Sequence, residues 1–500
     1  MRAKSGQFGR MRFRHAVVGV AMAIAGLRVD AAHAQALIAP GDARLRSDVE
    51  LLGDARAIAL PMTTWPMPLD MLSAALDESE RKEPADAAVA AALNRVERFV
   101  RSRQAERSLR ARASVADHPE RLRTFEDTPR TSAGASLSAA MVQRHWDGML
   151  SAGLAGTPRD GQVLRFDGSY LQGLIGNWLV GAYAVDRWWG PGWDGSLILS
   201  SAARPIPAVA LSRRTAGRPK SRWLKPLGNW NAVFLVGKLE GGRADYSSPE
   251  LVGFRLSVKP ASWFEFAASR TVLLCGSGAH CRLQTWLNKL DGQHTLTSSP
   301  QNPSLQMAGF DVRMASPWRR LPIALYGQLI GRDAIGGFPD DFLGLYGIEG
   351  WHGFASGALL RAHLEWASTS CRYYRSPPIW NCGASTTEFF QGDRYRGFPI
   401  GDSLDQDAEA TSTRVDLTMS GGQVWSVFAR AGVLNRSPTG DPWNTQSPVR
   451  EQFREWLLSW RSGREERDLA LQVGALRTNQ TSYGLTRNSL EASVSWTHRL

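Results

Sequence analysis

Glu491-Ala492-Ser493-Val494-Ser495-Trp496-Thr497, close to the end of the chain, alternates apolar and polar residues with a period of two. That period belongs to a β-strand whose two faces meet different surroundings. It recurs upstream. Leu469, Leu471, Val473 and Ala475 alternate with Asp468, Gln472 and Gly474, with an interruption at Ala470. Val415, Leu417 and Met419 alternate with Arg414, Asp416 and Thr418, and Leu109, Ala111, Ala113 and Val115 alternate with Arg110, Arg112 and Ser114. Segments of this kind, divided by Gly, Pro, Asn and Asp turns, run from about Ser108 to the end. Roughly 16 to 19 of them can be counted.

A soluble sandwich has the same period but does not use about 400 residues of consecutive strands. Tryptophan content arbitrates. Among 19 tryptophans, Trp146, Trp178, Trp193, Trp263, Trp366, Trp425, Trp460 and Trp496 fall near expected strand ends. Amphipathic aromatics at strand ends form the interfacial girdles of membrane barrels. The pattern predicts a mainly β chain, a transmembrane antiparallel β-barrel with polar residues facing the lumen. No run of about 18 apolar residues is present, so no spanning helix is expected. One departure is the ending His498-Arg499-Leu500, where such barrels usually carry an aromatic residue for the insertion machinery.

Arg2, Lys4, Arg10, Arg12 and Arg14 precede the apolar stretch Ala16–Leu27, and Ala32-His33-Ala34 supplies small residues for cleavage before Gln35. These three parts make a secretory signal, expected over residues 1–34. Its loss removes six basic residues and Asp30, lowering the net charge from +12 to +7. So modest a charge gives no reason to expect nucleic acid and suits acidic lipid or acidic polysaccharide. In an exported chain the four cysteines favour disulfides, pairing by proximity as Cys275 with Cys281 and Cys371 with Cys382. A zinc site is the rival reading, but only His280 lies near, and no metal or other cofactor is expected.

Residues 35–107 read as a small helical domain, and 108–500 as the barrel. Asp42 caps a first helix with Leu45, Val49 and Leu52 on one face. The prolines of PMTTWPMP (61–68) stop it, and Leu69, Leu72 and Leu76 begin a second. Pro84 opens a third, with Val89, Leu93, Val96 and Val100 on one face and Arg95, Glu97, Arg101 and Arg103 on the other.

No GxSxG elbow, P-loop or HExxH occurs, so catalysis is not expected. His145 beside Trp146 is the nearest approach to a lipase-type base, and a lone strand histidine is more often a lumen or girdle residue. The densest cluster is DRWWGPGWDG (186–195). Trp188, Trp189 and Trp193 can stack on sugar rings, while Arg187 and Asp194 bond hydroxyls or carboxylates. The competing reading is an interfacial girdle closed by a tight turn. A second cluster, YRGFPIGDSLDQDAE (395–409), follows Arg394 and contains Arg396 and Asp402. Its arginines suit an anionic polymer. Asp405, Asp407 and Glu409 alternate as in a calcium loop, but the turn glycine is missing. A charge network between lumen walls is the simpler reading.

Taken together, GDARLRSDVELLGDARAIALPMTTWPMP, DRWWGPGWDGSLILSSAARPIP, LGLYGIEG near residue 345 and YRGFPIGDSLDQDAE resemble the capsule assembly protein Wzi family. The resemblance implies an 18-stranded outer-membrane barrel with a helical bundle on its periplasmic side. It also implies a lectin that helps attach capsular polysaccharide without polymerising or exporting it. The expected function is therefore assisting surface attachment and assembly of capsular or related exopolysaccharide, by a chain expected to be a monomer. Its other expected partners are outer-membrane lipid and, during biogenesis, the barrel-insertion machinery. The alternative is a pore for small solutes or glycans. Arg187, Trp188, Trp189, Trp193, Asp194, Arg394, Arg396 and Asp402 are the expected glycan contacts, chosen for their chemistry.

Overall fold

The structure, a computed structural model, describes residues 37–79, 86–104, 107–277, 304–318, 320–333, 339–464 and 466–500. The signal segment and Pro84 lie outside them. A closed antiparallel barrel runs from Arg107–Ala116 to Leu485–Arg499, which pair with each other to close it. Leu164–Arg165 and Tyr170–Ile175 both pair with Trp146–Gly156 and form one interrupted strand, so the barrel has 18 strands.

The alternation predicted from sequence sorts by face. Leu471 sits opposite Val494 and Val473 opposite Ala492, and Leu471, Val473, Val494 and Trp496 are exposed on the outer wall. Val415, Val427, Leu458, Leu364, Phe254 and Leu150 continue that apolar band. Seven outer-wall tryptophans, Trp146, Trp178, Trp230, Trp263, Trp425, Trp460 and Trp496, lie at or beside strand ends on one rim. Trp193 is not among them. It lies in a long connection that enters the lumen, so its girdle assignment is corrected.

On the girdled rim most connections are short, such as 143–145, 176–177 and 419–423. On the other they are long, notably 117–132, 184–207, 369–408 and 435–450. Three helices pack into the short-turn end: α1 (Ala43–Asp54), α2 (Leu69–Ser79) and α3 (Ala87–Arg103). Asp42 caps α1 by accepting from the Leu45 N–H at 3.0 Å, and Asp86 caps α3 by accepting from Ala88 at 2.7 Å. Arg44 donates to Gly463 O, Arg56 to Pro317 O and Arg95 to Ser420 O, each acceptor lying in a turn of that rim. Arg95 was expected on the charged outer face of α3. Instead it is buried, and it donates to Asp48 of α1 at 2.6 and 2.9 Å.

Candidate functional site

Helix α1 carries more charge into the lumen than its apolar stripe suggests. Arg46, Asp48 and Glu50 are all buried. The wall meets them with matching groups. Arg361 bonds Glu349 at 2.8 Å and approaches Glu50 at 3.5 Å, while Arg313 bonds Asp54 at 2.8 Å and Glu349 at 2.6 Å. Isolated charges in such a place would be very costly, so they persist only as a paired, hydrogen-bonded network.

The tryptophan-rich connection descends from the long-loop end to meet this helix. Trp188 pairs with Trp65 and Trp189 with Thr64 in a two-residue ladder with the PMTTWPMP segment. Arg46 donates to Pro191 O at 2.5 Å and to Gly192 O at 2.7 Å, and its guanidinium lies 4.1 Å from the Trp193 ring centre. Phe125, from the connection 117–132, packs edge-on against Trp65 and Trp188, each at 5.4 Å. Trp193 stacks on His363 at 5.6 Å and donates through Nε1 to Glu349. Asp194 accepts from Ser412 at 2.6 Å and lies 3.0 Å from His363 Nε2. Burial pushes its carboxyl up, but His363 and Ser412 more than offset that and hold it low. Arg187 donates to Ile206 O at 3.1 Å.

The second cluster packs on the first. Ser200 N–H donates to Ile400 O at 2.9 Å, and a Cβ added at Gly195 would overlap the Asp402 carboxylate. Arg394 is buried between Asp405 at 2.7 Å and Asp441 at 2.8 Å. Asp402 accepts from the Leu404 N–H, and burial raises its carboxyl to about 6.

Both predicted clusters therefore come together, but as the core of a filled lumen. Trp188 and Trp189 are 0% exposed and Trp193 is 3%, which leaves no ring face for a sugar. Arg187, Asp194, Arg394 and Asp402 are likewise buried. The girdle reading of Trp188 and Trp189 is corrected on the same ground. Of the eight expected contacts only Arg396 is half-exposed, its guanidinium donating to the Tyr395 hydroxyl at 3.0 Å beside the Gly397 turn. Asp405, Asp407 and Glu409 join a charge and hydrogen-bond network with Arg394, Asn381 and Arg436. His145 is exposed in a turn of the short-turn rim.

One cleft open to a ligand lies at the long-loop end. The connection 369–408 is pinned by the Cys371–Cys382 disulfide, whereas Cys281, the partner expected for Cys275, lies outside the described residues. Beside it, Phe390 and Trp443 are 37% and 40% exposed, with ring centres 5.2 Å apart. They line a cleft of about 420 Å³ together with Arg332, Asn381, Gln406 and Asp441. Two exposed rings beside the Arg332 guanidinium and the Asn381 amide can stack on a sugar and bond its hydroxyls. Sequence reading passed over both rings. The available signal was Trp443 within the turn-rich DPWNTQSP (441–448), since surface connections are where binding residues concentrate.

A family model described as capsule assembly protein Wzi matches residues 104–477. A Klebsiella pneumoniae protein, described as an uncharacterized 55.8 kDa protein in the cps region, is 26% identical over 443 residues. The match spans 88% of this chain and 85% of that one. Among solved structures, Escherichia coli Wzi superimposes with a TM-score of 0.81 at 23% identity, covering 92% of this chain and 98% of that one. It is described as an outer membrane protein involved in group 1 capsule assembly and a carbohydrate binding beta-barrel.

Proposed function

The chain belongs to the capsule assembly protein Wzi family, and from that premise we propose that it is an outer-membrane lectin-like barrel. In this reading it assists surface attachment and assembly of capsular or related exopolysaccharide, and it holds the glycan at its long-loop face. The observation that carries the site is the exposed Phe390–Trp443 pair in its polar cleft, on a barrel whose lumen is filled. The helical end then faces the periplasm, because outer-membrane barrels keep short turns on that side and long loops outside. Binding rather than catalysis is supported by the buried His363–Asp194 pair. Trp193 stacks across His363 and leaves no space for a substrate at Asp194.

On the scale of aromatic pairs each ring contact would contribute about 0.5–1.5 kcal/mol, and weak contacts repeated along a polymer add in avidity. In a strain that makes the polymer, deleting the gene should shift polysaccharide from the cell-bound to the released fraction. Phe390→Ala with Trp443→Ala should reproduce the shift while the barrel stays in the outer membrane. Unchanged retention after deletion would refute the function, and unchanged retention in the double variant alone would refute the site.

A further inference from the structure

The connection 214–228, RTAGRPKSRWLKPLG, contains no acidic residue. Arg214 pairs with Asp70 of α2. Arg218, Lys220, Arg222 and Lys225 are exposed and have no ion pair among the described residues. Among them stands Trp223, 87% exposed, with Leu224 at 51% and Leu227 at 37%. A bare indole beside two leucines is costly in water, and four unneutralised cations repel one another. Both costs vanish against a surface that is anionic at its face and apolar just behind.

The base of this connection is firmly held. Arg214 N–H donates to Asn177 O at 2.9 Å, and the Thr215 hydroxyl donates to Asn177 Oδ1 at 2.9 Å. The Arg213 guanidinium sits 3.7 Å from the ring centre of Trp230, which packs edge-on against Trp178. Trp178 and Trp230 belong to the tryptophan girdle of the short-turn rim. The connection therefore projects from the level at which the apolar band ends. Its far side closes with the helical turn Lys225–Leu227.

We propose that residues 217–227 bind the headgroup of an anionic glycerophospholipid in the leaflet at the short-turn end. The four cations contact phosphate oxygens, and Trp223 and Leu224 rest against the first acyl carbons. An acidic polysaccharide would satisfy the cations but not the adjoining indole and leucines, which favours lipid. The inference uses the membrane reading above only to put lipid at that rim.

Native mass spectrometry of the protein purified from membranes, mixed with equal phosphatidylglycerol and phosphatidylcholine, tests this. Phosphatidylglycerol adducts should exceed phosphatidylcholine adducts by about tenfold. The preference should fall to parity in the variant R218Q/K220Q/R222Q/K225Q, and Trp223→Ser should reduce adducts of both lipids. Equal adducts on the unaltered protein, or a preference that survives the fourfold variant, overturns the proposal. So does a variant that loses retention of polygalacturonate but keeps its phosphatidylglycerol preference, which would mark a glycan site instead. Heat-modifiable gel migration reports whether each variant is a folded barrel. An unaltered protein lacking that signature would sink the membrane reading as well, which separates the two failures.

Discussion

Asp405 and Asp407 stand two residues apart in the chain and experience opposite fields. Burial pushes Asp405 up, but Arg394 and the Thr445 N–H and hydroxyl outweigh it and hold the carboxyl low. Asp407 feels only a weaker pull from Arg436. Burial raises it to about 7, with Asp441 and Asp405 adding to the rise against the Asn381 N–H. The folded chain thus holds the Asp407 proton more tightly than the unfolded chain, whose ordinary value is 3.8. Stability from this group is full below about pH 4 and is lost as pH rises through about 7. Asp407→Asn keeps the acceptor for Asn381 and removes the ionisation. It should therefore gain about 3–4 kcal/mol over the parent at pH 8 relative to pH 4. Thermal unfolding in detergent at both pH values measures this, and an identical gap at each refutes it. Three alternating acids are visible in sequence, but which of them meets an arginine is not.

At the scale of the element, capping and periodicity carried the helices far. Asp42 and the Leu45, Val49 and Leu52 stripe place α1 correctly, because a cap and a 3.6-residue period are local. Arg95 escaped the same logic. A charged residue in an amphipathic helix normally faces water, yet Arg95 lies on the buried stripe with Ala92, Val96 and Phe99, against α1 and a strand turn. Arg95→Ala would leave Asp48 buried without its partner, at a cost of about 3–5 kcal/mol. Trypsin should then cut within α3, at Arg98 or Arg101, while the barrel keeps its heat-modifiable migration. Arg95→Met combined with Asp48→Leu should restore resistance, because the pair is then replaced by packing. Continued resistance of Arg95→Ala would show that the pair does not hold the helix.

For the whole molecule, the packing of the lumen by the described residues bears on the two functions read from the sequence. The cavity left between α1 and the wall, lined by Arg44, Glu126, Arg414 and Arg461 among others, encloses only about 60 Å³. The intact protein in a planar bilayer should therefore carry no steady current, and a large stable conductance would contradict the packing described. By itself the sequence determined the barrel, its apolar outer face and the starts of α1 and α2, and proximity along the chain pointed to the Cys371–Cys382 pairing. Each of these follows from residue spacing along the chain. Tertiary structure alone decided where the tryptophan- and arginine-rich connections point. The same side chains that would stack on a sugar and bond its carboxylates also fill a charged lumen, by stacking on one another and pairing with wall residues. Residue type fixes what such a segment can bind. Whether it meets glycan or its own barrel depends on contacts as distant in sequence as Arg46 with Gly192 and Gly195 with Asp402, which exist only once the barrel has closed.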